Sequence, residues 1–314
     1  MQSDRRLTQP RTASRMVCSS PFSGVTVVFQ IQRFRTSDHY YHHYRHWTAH
    51  APVPKGYVIA LHGVQSHSGW YGYSSELIAA AGYDIRFLDR RGSGLNGCER
   101  GHTPHFERLI NDVRQFLREV RLERDRNSPE SPIILMSVSW GGKVAASLAA
   151  AHPELIDGLA LLYPGLCARV RPTRIQRRLI RFGIDTGKGK MRIPIPLNDP
   201  KLFTGEPDWQ DYISRDERAL RYVSLGFLQA SHELESYVAR HAEKIVAPLL
   251  LTLAGRDEII DNAATEALAL KFRSSHKNFI TYRDARHTLE FEPNRLQIFS
   301  ELVEWLDHLP RCRC

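Results

Sequence analysis

Short apolar runs alternate along this chain with segments in which apolar residues recur every three or four positions. The apolar runs cover residues 56–61, 133–136, 159–162, 249–253 and 279–282, and residues 83–88 are a further predicted strand that also contains Asp84 and Arg86. A run that is apolar throughout is typical of a parallel strand, because helices cover both of its faces. The intervening periodicity predicts helices over residues 106–120, 142–151 and 296–306. This alternation predicts an α/β fold with a mostly parallel central sheet flanked by helices.

Two further strands are expected near the N-terminus, over residues 25–34 and 40–47. The second belongs to a histidine-rich patch in which His42 and His46 would share one face of a strand. A metal site is one interpretation of this patch. A solvated strand at the edge of the sheet is the interpretation we favour.

One region departs from the alternation of strands and helices. Residues 169–244 lie between two predicted core strands and show only helical or irregular patterns. We expect this segment to be a cap, or lid, over the carboxyl ends of the strands, where open α/β sheets bind ligands. Residues 21–168 and 245–314 then form the core, and residues 1–20 are expected to be a disordered basic arm without the apolar region of a secretory signal.

The composition of the chain limits the cellular compartment and the binding partners that we expect. The chain has 314 residues, 42% of them hydrophobic, and a net charge of +9. Much of the positive excess lies in the arm and in residues 169–192, so nucleic acid is not an expected partner. Five scattered cysteines indicate free thiols and a cytoplasmic location, and no apolar run is long enough to span a bilayer.

The segment around Ser139 carries the strongest chemical signal. It follows an apolar run, precedes an Ala-rich helix and places Ser139 between Ser137 and Gly141. Small residues two positions before and after a serine are typical of a nucleophile elbow, a sharp strand-to-helix turn that exposes the hydroxyl. The sequence therefore predicts Ser139 as a nucleophile, although such a motif alone also fits an ordinary turn.

A serine nucleophile needs a histidine base and a carboxylate that orients the histidine. The run 249–253 leads into a loop with Asp257, and the run 279–282 leads into a loop with His287. The order serine, acid, histidine is that of α/β-hydrolases. We therefore predict a triad of Ser139, Asp257 and His287, with Asp261 and Asp284 as rival carboxylates.

The reaction also needs two backbone N–H donors for the oxyanion. The residue after the nucleophile, Trp140, is one expected donor, and the loop after residues 56–61 should supply the other. We assign the second donor to Val64, with Gly63 letting the backbone approach the substrate. No cofactor or metal is required for this chemistry.

Taken together, these stretches resemble the monoacylglycerol lipase and lysophospholipase-like group of α/β-hydrolases. The matching segments are residues 61–71, 89–94, the elbow, 255–257 and 287–288. The resemblance implies an α/β-hydrolase fold, ester or monoglyceride hydrolysis, and a lid after the sixth core strand. The chain departs from the family pattern at Ser137, which replaces the first glycine of the elbow, and at Trp140, whose bulk would narrow the acyl site.

Two other patterns have weaker interpretations. Residues 92–97 match G-x-G-x-x-G, but they do not follow a strand directly or open a helix, so a dinucleotide site is not expected. The Arg-rich stretch 169–192 carries apolar residues at helical spacing. We favour a helix that packs this apolar face on the core over one that contacts an anionic membrane.

The sequence thus predicts a serine hydrolase that acts on small-molecule esters, with monoacylglycerols, lysophospholipids or short esters as candidate substrates. Another acyl hydrolase on the same fold, a peptidase or thioesterase, is an alternative, because fold alone does not select the substrate. A non-catalytic binding protein on a hydrolase scaffold is a further alternative.

Overall fold

A computed structural model describes residues 14–19 and 26–309 of the chain. Its strands are β1 (Ser14–Ser19), β2 (Thr26–Arg35), β3 (Tyr41–Trp47), β4 (Tyr57–Leu61), β5 (Asp84–Leu88), β6 (Ile133–Val138), β7 (Gly158–Leu162), β8 (Arg192–Pro194), β9 (Tyr222–Ser224), β10 (Leu249–Ala254) and β11 (Lys277–Tyr282). Its α-helices are α1 (Gly72–Ala80), α2 (Phe106–Asn127), α3 (Gly141–Ala151), α4 (Arg174–Gly183), α5 (Pro207–Arg215), α6 (Leu225–His241), α7 (Asn262–Leu270) and α8 (Arg295–Asp307).

Nine of these strands form one sheet in the order β1-β2-β3-β5-β4-β6-β7-β10-β11. The pairs from β5 through β4, β6, β7 and β10 to β11 are parallel, whereas β1, β2 and β3 pair antiparallel with their neighbours. Leu61 at the end of β4 lies opposite Ser137 near the end of β6. The register therefore brings the loop after β4 beside the turn after β6, and the mostly parallel sheet confirms the predicted fold class.

The sheet is covered on both faces, which explains why its central strands are apolar throughout. In β4, Ile59 and Leu61 pack into one hydrophobic cluster, whereas Val58 and Ala60 pack into a second. Successive residues of a strand point to opposite faces, so these are the two sides of the sheet. Helices α2, α3 and α6 contribute to the first cluster, and α1 and α8 contribute to the second.

Some boundaries differ from the predictions. Helix α2 continues seven residues beyond position 120. The prediction ended too early because the last turns of the helix are charged and carry no apolar stripe. Helix α1 was not predicted, since its apolar residues do not recur at helical spacing and two of its buried residues, Ser74 and Ser75, are polar. In residues 169–244, helices α4, α5 and α6 are accompanied by a small two-stranded antiparallel sheet of β8 and β9 that the sequence did not indicate.

The N-terminal arm is partly an ordered strand. Strand β1 lies within residues 1–20 and pairs antiparallel with β2 along its whole length. The prediction of disorder is therefore wrong for residues 14–19. Residues 1–13 and 20 lie outside the described residues.

The histidine-rich strand β3 lies inside the sheet, between β2 and β5, so its prediction as a solvated edge is wrong. His42 and His46 are therefore buried, and each lies near a carboxylate that the sequence did not reveal. His46 Nε2 lies 2.7 Å from Asp84 Oδ2, and His42 Nε2 lies 3.4 Å from Asp112 Oδ2. Among the described residues, no three His, Cys, Asp or Glu side chains are grouped so that they could hold a metal ion.

The described part of the chain contains no helix whose length and apolar character would let it cross a membrane. Cys98 and Cys167 carry free thiols, and the other cysteines have no described side chains.

Candidate active site

The predicted strand-to-helix turn joins β6 to α3. Ser139 has a φ of 51°, the left-handed conformation that side chains other than glycine seldom adopt. Its N–H donates to Leu162 O at 3.1 Å, which links the turn to the neighbouring strand β7. A Cβ at Gly141 would lie 2.8 Å from the carbonyl oxygens of Leu61 and His62, so this position requires glycine.

His287 connects Ser139 to Asp257. His287 Nε2 lies 2.8 Å from Ser139 Oγ, and His287 Nδ1 lies 2.7 Å from Asp257 Oδ2. The rings of Tyr163 and Phe203 meet the imidazole edge-on, with centroids at 5.1 and 5.9 Å. These contacts hold the ring so that Nδ1–H donates to the carboxylate and Nε2 faces the serine hydroxyl.

Asp257 is fixed by two backbone donors as well as by His287. Its Oδ1 accepts the N–H groups of Ile259 and Ile260 at 2.8 and 2.9 Å. Burial alone would raise the pKa of Asp257, but the charge and hydrogen bond of His287 and the two N–H donors hold this pKa below its ordinary value. The carboxylate therefore stays ionised beside the imidazole.

The rival carboxylates serve other purposes. Asp261 is the N-cap of α7, and its Oδ1 accepts the N–H of Ala264 at 3.0 Å. Asp284 pairs with Arg256 at 2.6 Å on the surface, where both side chains are exposed. Neither is bonded to His287.

The loop after β4 lies against the elbow. A Cβ at Gly63 would lie 3.2 Å from Ser139 Cβ and 3.5 Å from Ser139 Oγ, so Gly63 is in contact with the serine. Between residues 26 and 309, no acceptor is hydrogen-bonded to the N–H of Val64 or of Trp140. Both N–H groups are therefore free to bind a ligand atom.

A buried histidine orients the Gly63–Val64 peptide. His62 Nδ1 lies 2.8 Å from Gly63 O, and His62 Nε2 accepts the N–H of Arg90 at 2.9 Å. Because Nε2 is an acceptor, the single proton of the neutral ring is on Nδ1 and donates to Gly63 O. Burial, with a contribution from the nearby charge of Arg90, lowers the pKa of His62 to about 3. Sequence analysis gave His62 no such role.

Arg90 is a second residue that sequence analysis missed. Its Nη2 donates to Val64 O at 2.9 Å, and its guanidinium lies 4.8 Å from the Trp140 ring centroid and 4.9 Å from that of Phe227. Burial lowers its pKa to about 9. The guanidinium therefore contacts both rings, and Arg90 connects the loop after β4 to Trp140.

Asp89 and its glycine neighbours form the turn that carried the G-x-G-x-x-G pattern. Asp89 accepts the N–H groups of Ser68 and Leu95 at 2.8 and 2.9 Å, and a Cβ at Gly94 would collide with its carboxyl. The next helix, α2, begins only at Phe106. The pattern thus closes a loop and does not open a helix, as a dinucleotide site would require.

Ser139 opens into a cavity of about 750 Å³. Most of its walls come from residues 169–244, including Ile180 of α4 and Phe227 of α6. Trp140 narrows this space less than its size suggested, because its indole stacks on Phe227 at 4.8 Å and its Nε1 donates to Ser231 Oγ at 2.9 Å. The volume is within the range of small-molecule sites.

The apolar face of α4 is not packed on the core, so that prediction is wrong. Ile175, Leu179 and Phe182 are 62–70% exposed, and Gly183 is the helix's buried residue. Leu179 and Phe182 border the cavity. The helix therefore presents apolar side chains next to the entrance, among its arginines.

Comparisons with known proteins agree with this geometry. The family model Hydrolase_4, described as "Serine aminopeptidase, S33", matches residues 52–294. The monoacylglycerol lipase of Mycolicibacterium smegmatis is 23% identical over 81% of this chain and 88% of that protein. Phospholipase YtpA of Bacillus subtilis is 23% identical over 83% of this chain and 98% of its own. A soluble variant of monoglyceride lipase from Saccharomyces cerevisiae, 18% identical, superposes with a TM-score of 0.81 over 93% of this chain and 99% of that one, which shows the shared α/β-hydrolase fold.

Proposed function

The chain belongs to the Hydrolase_4 family of serine hydrolases, and from this premise we propose that it cleaves carboxylic esters through Ser139, His287 and Asp257. The observation that carries the proposal is the continuous chain of hydrogen bonds from Ser139 Oγ through His287 to Asp257. Within this family the curated relatives include monoacylglycerol lipases and a phospholipase, which supports ester chemistry.

In the proposed mechanism, Ser139 Oγ attacks the ester carbonyl carbon while its proton passes to His287 Nε2. The N–H groups of Trp140 and Val64 bind the oxyanion of the tetrahedral intermediate. His287 then gives its proton to the departing alcohol oxygen, which leaves an acyl-enzyme. Water attacks the acyl carbon, its proton goes to His287, and the carboxylic acid is released as Ser139 regains a proton. Asp257 stabilises the imidazolium that forms in each half-reaction.

The cavity supports a lipid-like ester as substrate. Its walls near the elbow are largely apolar and include Val64, Ile195, Leu197, Val223, Phe227 and Ile259. An acyl chain can bury its methylenes against such walls, each contributing about 0.8 kcal/mol. We propose substrates of the monoacylglycerol or lysophospholipid type, or shorter esters that fit the same space.

An aminopeptidase activity, which the family description suggests, is less well supported. Such an enzyme must bind the free ammonium of its substrate, and a carboxylate is the usual partner of a buried cation. Of the described cavity walls, Glu235 is the one acidic residue, and it already contacts Lys143 and Arg171 at 3.2 and 2.8 Å. No free carboxylate is therefore offered to an ammonium group.

We further propose that residues 169–244 act as a cap whose position depends on Asp216. Asp216 Oδ2 accepts from Trp70 Nε1 at 2.6 Å and lies 2.9 Å from His67 Nε2, so the segment is bonded to the loop that follows β4. The exposed apolar side chains and arginines of α4 would contact an anionic membrane surface from this cap.

The proposed reaction is tested by replacing the nucleophile. Ser139→Ala should lower ester hydrolysis by several orders of magnitude and abolish labelling by a fluorophosphonate, because the acyl acceptor is lost. Ser137→Ala is the matched control, since Ser137 is buried two residues earlier and its Oγ has no hydrogen-bond partner in the described structure.

Both proteins should be assayed with wild type on esters of increasing acyl length, on monoacylglycerols, and on a thioester and an aminoacyl amide. Hydrolysis of esters by Ser139→Ala near the wild-type rate would refute the mechanism. A wild-type protein that reacts with neither the esters nor the fluorophosphonate would support a binding protein on a hydrolase scaffold.

A further inference from the structure

The cavity that contains Ser139 has an unequal charge distribution. Four basic residues, Lys143, Arg171, Arg177 and Lys188, line it. Their acidic counterpart on the described walls is Glu235 alone. Three positive charges of the lining thus have no balancing charge within the cavity, although most of the remaining lining is apolar.

Lys143 is the most buried of these cations, with 7% of its side chain exposed. It lies on the first turn of α3, four residues after Ser139, and its ammonium group faces α6. Lys143 Nζ lies 3.2 Å from Glu235 Oε2 and 3.3 Å from Ser231 Oγ, longer than the usual 2.7–2.9 Å of a charge-assisted hydrogen bond. Burial lowers the pKa of Lys143, and Glu235 offsets part of that effect. The ammonium is therefore loosely bonded for a buried charge.

Glu235 is shared between two cations. Its Oε1 lies 2.8 Å from Arg171 Nη1, and its Oε2 faces Lys143. Arg171 also donates from Nε to Ala168 O at 2.6 Å, and both residues line the cavity. One carboxylate cannot neutralise both groups, so this cluster retains one unpaired positive charge.

Because the Arg171 side chain is 43% exposed, water can solvate the surplus charge in the open cavity, whereas a ligand that fills the cavity would cover it. A covered charge is stable only when it is paired, which determines what ligand would suit this site. A neutral monoacylglycerol would fill the apolar walls and leave the surplus cation without a partner. A ligand with an anionic group would pair with it through Lys143 and Arg171, whose spacing around Glu235 leaves both with unused N–H donors.

We propose that the substrate is an amphiphilic ester with an anionic group, a carboxylate or a phosphate, which Lys143 and Arg171 bind inside the cavity of Ser139. This proposal rests on the proposed ester hydrolysis and defines its substrate class. Lys143 and Arg171 act on specificity and take no part in the bond-making steps.

Matched pairs of substrates distinguish a carboxylate from a phosphate as the anionic group. The first pair is the p-nitrophenyl half-ester of a linear dicarboxylic acid and the same compound with its free carboxylate methylated. The second pair is 1-acylglycerol 3-phosphate and the monoacylglycerol with the same acyl chain. All are used below their aggregation concentrations, so that membrane binding does not enter. We expect kcat/KM to favour the anionic member of at least one pair by about tenfold or more, the equivalent of one added charged contact.

Two variants should shift this preference in opposite directions. Lys143→Met removes one cation and leaves Glu235 paired with Arg171, so the ratio of anionic to neutral kcat/KM should fall about tenfold. Glu235→Gln removes the competing carboxylate, so the same ratio should rise. Lys271→Met changes an exposed lysine at the end of α7, outside the cavity, and should leave the ratio as in wild type.

A partial loss of folding lowers kcat/KM for the anionic and the neutral substrate by the same factor and leaves their ratio unchanged, so opposite shifts of the ratio in the two variants distinguish the proposed role from structural damage. Equal kcat/KM for both members of both pairs in wild type would overturn the proposal, as would a ratio that neither variant changes. In those cases hydrolysis of the neutral esters that is lost in Ser139→Ala would still support the triad. Absence of all ester hydrolysis would instead refute the proposed function itself.

Discussion

His62 allows a quantitative test of how the loop beside Ser139 is built. Its two ring nitrogens both form hydrogen bonds with backbone groups, one as donor to Gly63 O and one as acceptor from the Arg90 N–H. A second proton on the ring would break the bond to Arg90 and place a charge in a buried site. This is why burial lowers its pKa to about 3.

The sign of the resulting pH dependence follows from where the proton binds. A histidine in the unfolded chain has a pKa of about 6.5, so the unfolded state takes up a proton below that pH. The folded state does not do so until the pH approaches 3. Stability from this group is therefore complete above pH 6.5 and is lost as the pH falls from 6.5 towards 3, by about 1.4 kcal/mol per unit.

We predict that this single group lowers the free energy of unfolding by about 2 kcal/mol between pH 7 and pH 5. The substitution His62→Gln removes the titration, so the variant should lose about 2 kcal/mol less than wild type over the same interval. At pH 7 the variant should itself be less stable by about 1–3 kcal/mol, because Gly63 O or the Arg90 N–H loses its partner.

Urea unfolding at both pH values, followed by tryptophan fluorescence and extrapolated linearly, measures the required difference. His276→Gln is the control, since the His276 side chain is exposed. The control should keep the wild-type pH dependence. If His62→Gln loses as much stability between pH 7 and pH 5 as wild type, then His62 is protonated in the folded protein and the assignment of its tautomer is wrong.

Two other predictions concern the triad and the cap. Asp257→Asn should lower kcat for ester hydrolysis by about 10⁴-fold, because an amide at this position no longer accepts from His287 Nδ1–H and favours the wrong tautomer. Asp284→Asn is its exposed control, and equal rates for the two variants would contradict the assignment of the acid. Ser139→Ala protein should sediment with vesicles that contain anionic phospholipid more than with neutral vesicles. Replacing Leu179 and Phe182 by Ser should reduce that binding. Binding that does not depend on the anionic lipid content would rule out the contact.

The sheet and the strand-to-helix turn at Ser139 could be predicted from the sequence because both depend on local patterns. The central strands are buried on both faces, so their apolar runs were visible without knowledge of their partners. Ser139, Asp257 and His287 could be proposed because each follows a strand, and parallel strands end at one edge of a sheet.

Some contacts could not be predicted from the sequence because they join residues that are far apart in the chain. His42 and His46 looked solvated because their carboxylate partners Asp112 and Asp84 are 70 and 38 positions away. Lys143 and Glu235 meet only because α6 packs on α3. A side chain's charge is visible in the sequence, but whether that charge is buried and paired is decided by tertiary structure.

The left-handed backbone at Ser139 sets thermal stability against catalytic activity in this chain. Tyr163, whose ring supports His287, shares this conformation with a φ of 38°. Strain of this kind amounts to about 1–3 kcal/mol at each residue, and glycine would relieve it. At Tyr163 glycine would also remove a fully buried ring, so only Ser139→Gly would relieve strain without opening a large cavity, and it would remove the nucleophile at the same time. Selection for thermal stability alone would therefore favour glycine at position 139 and an inactive chain.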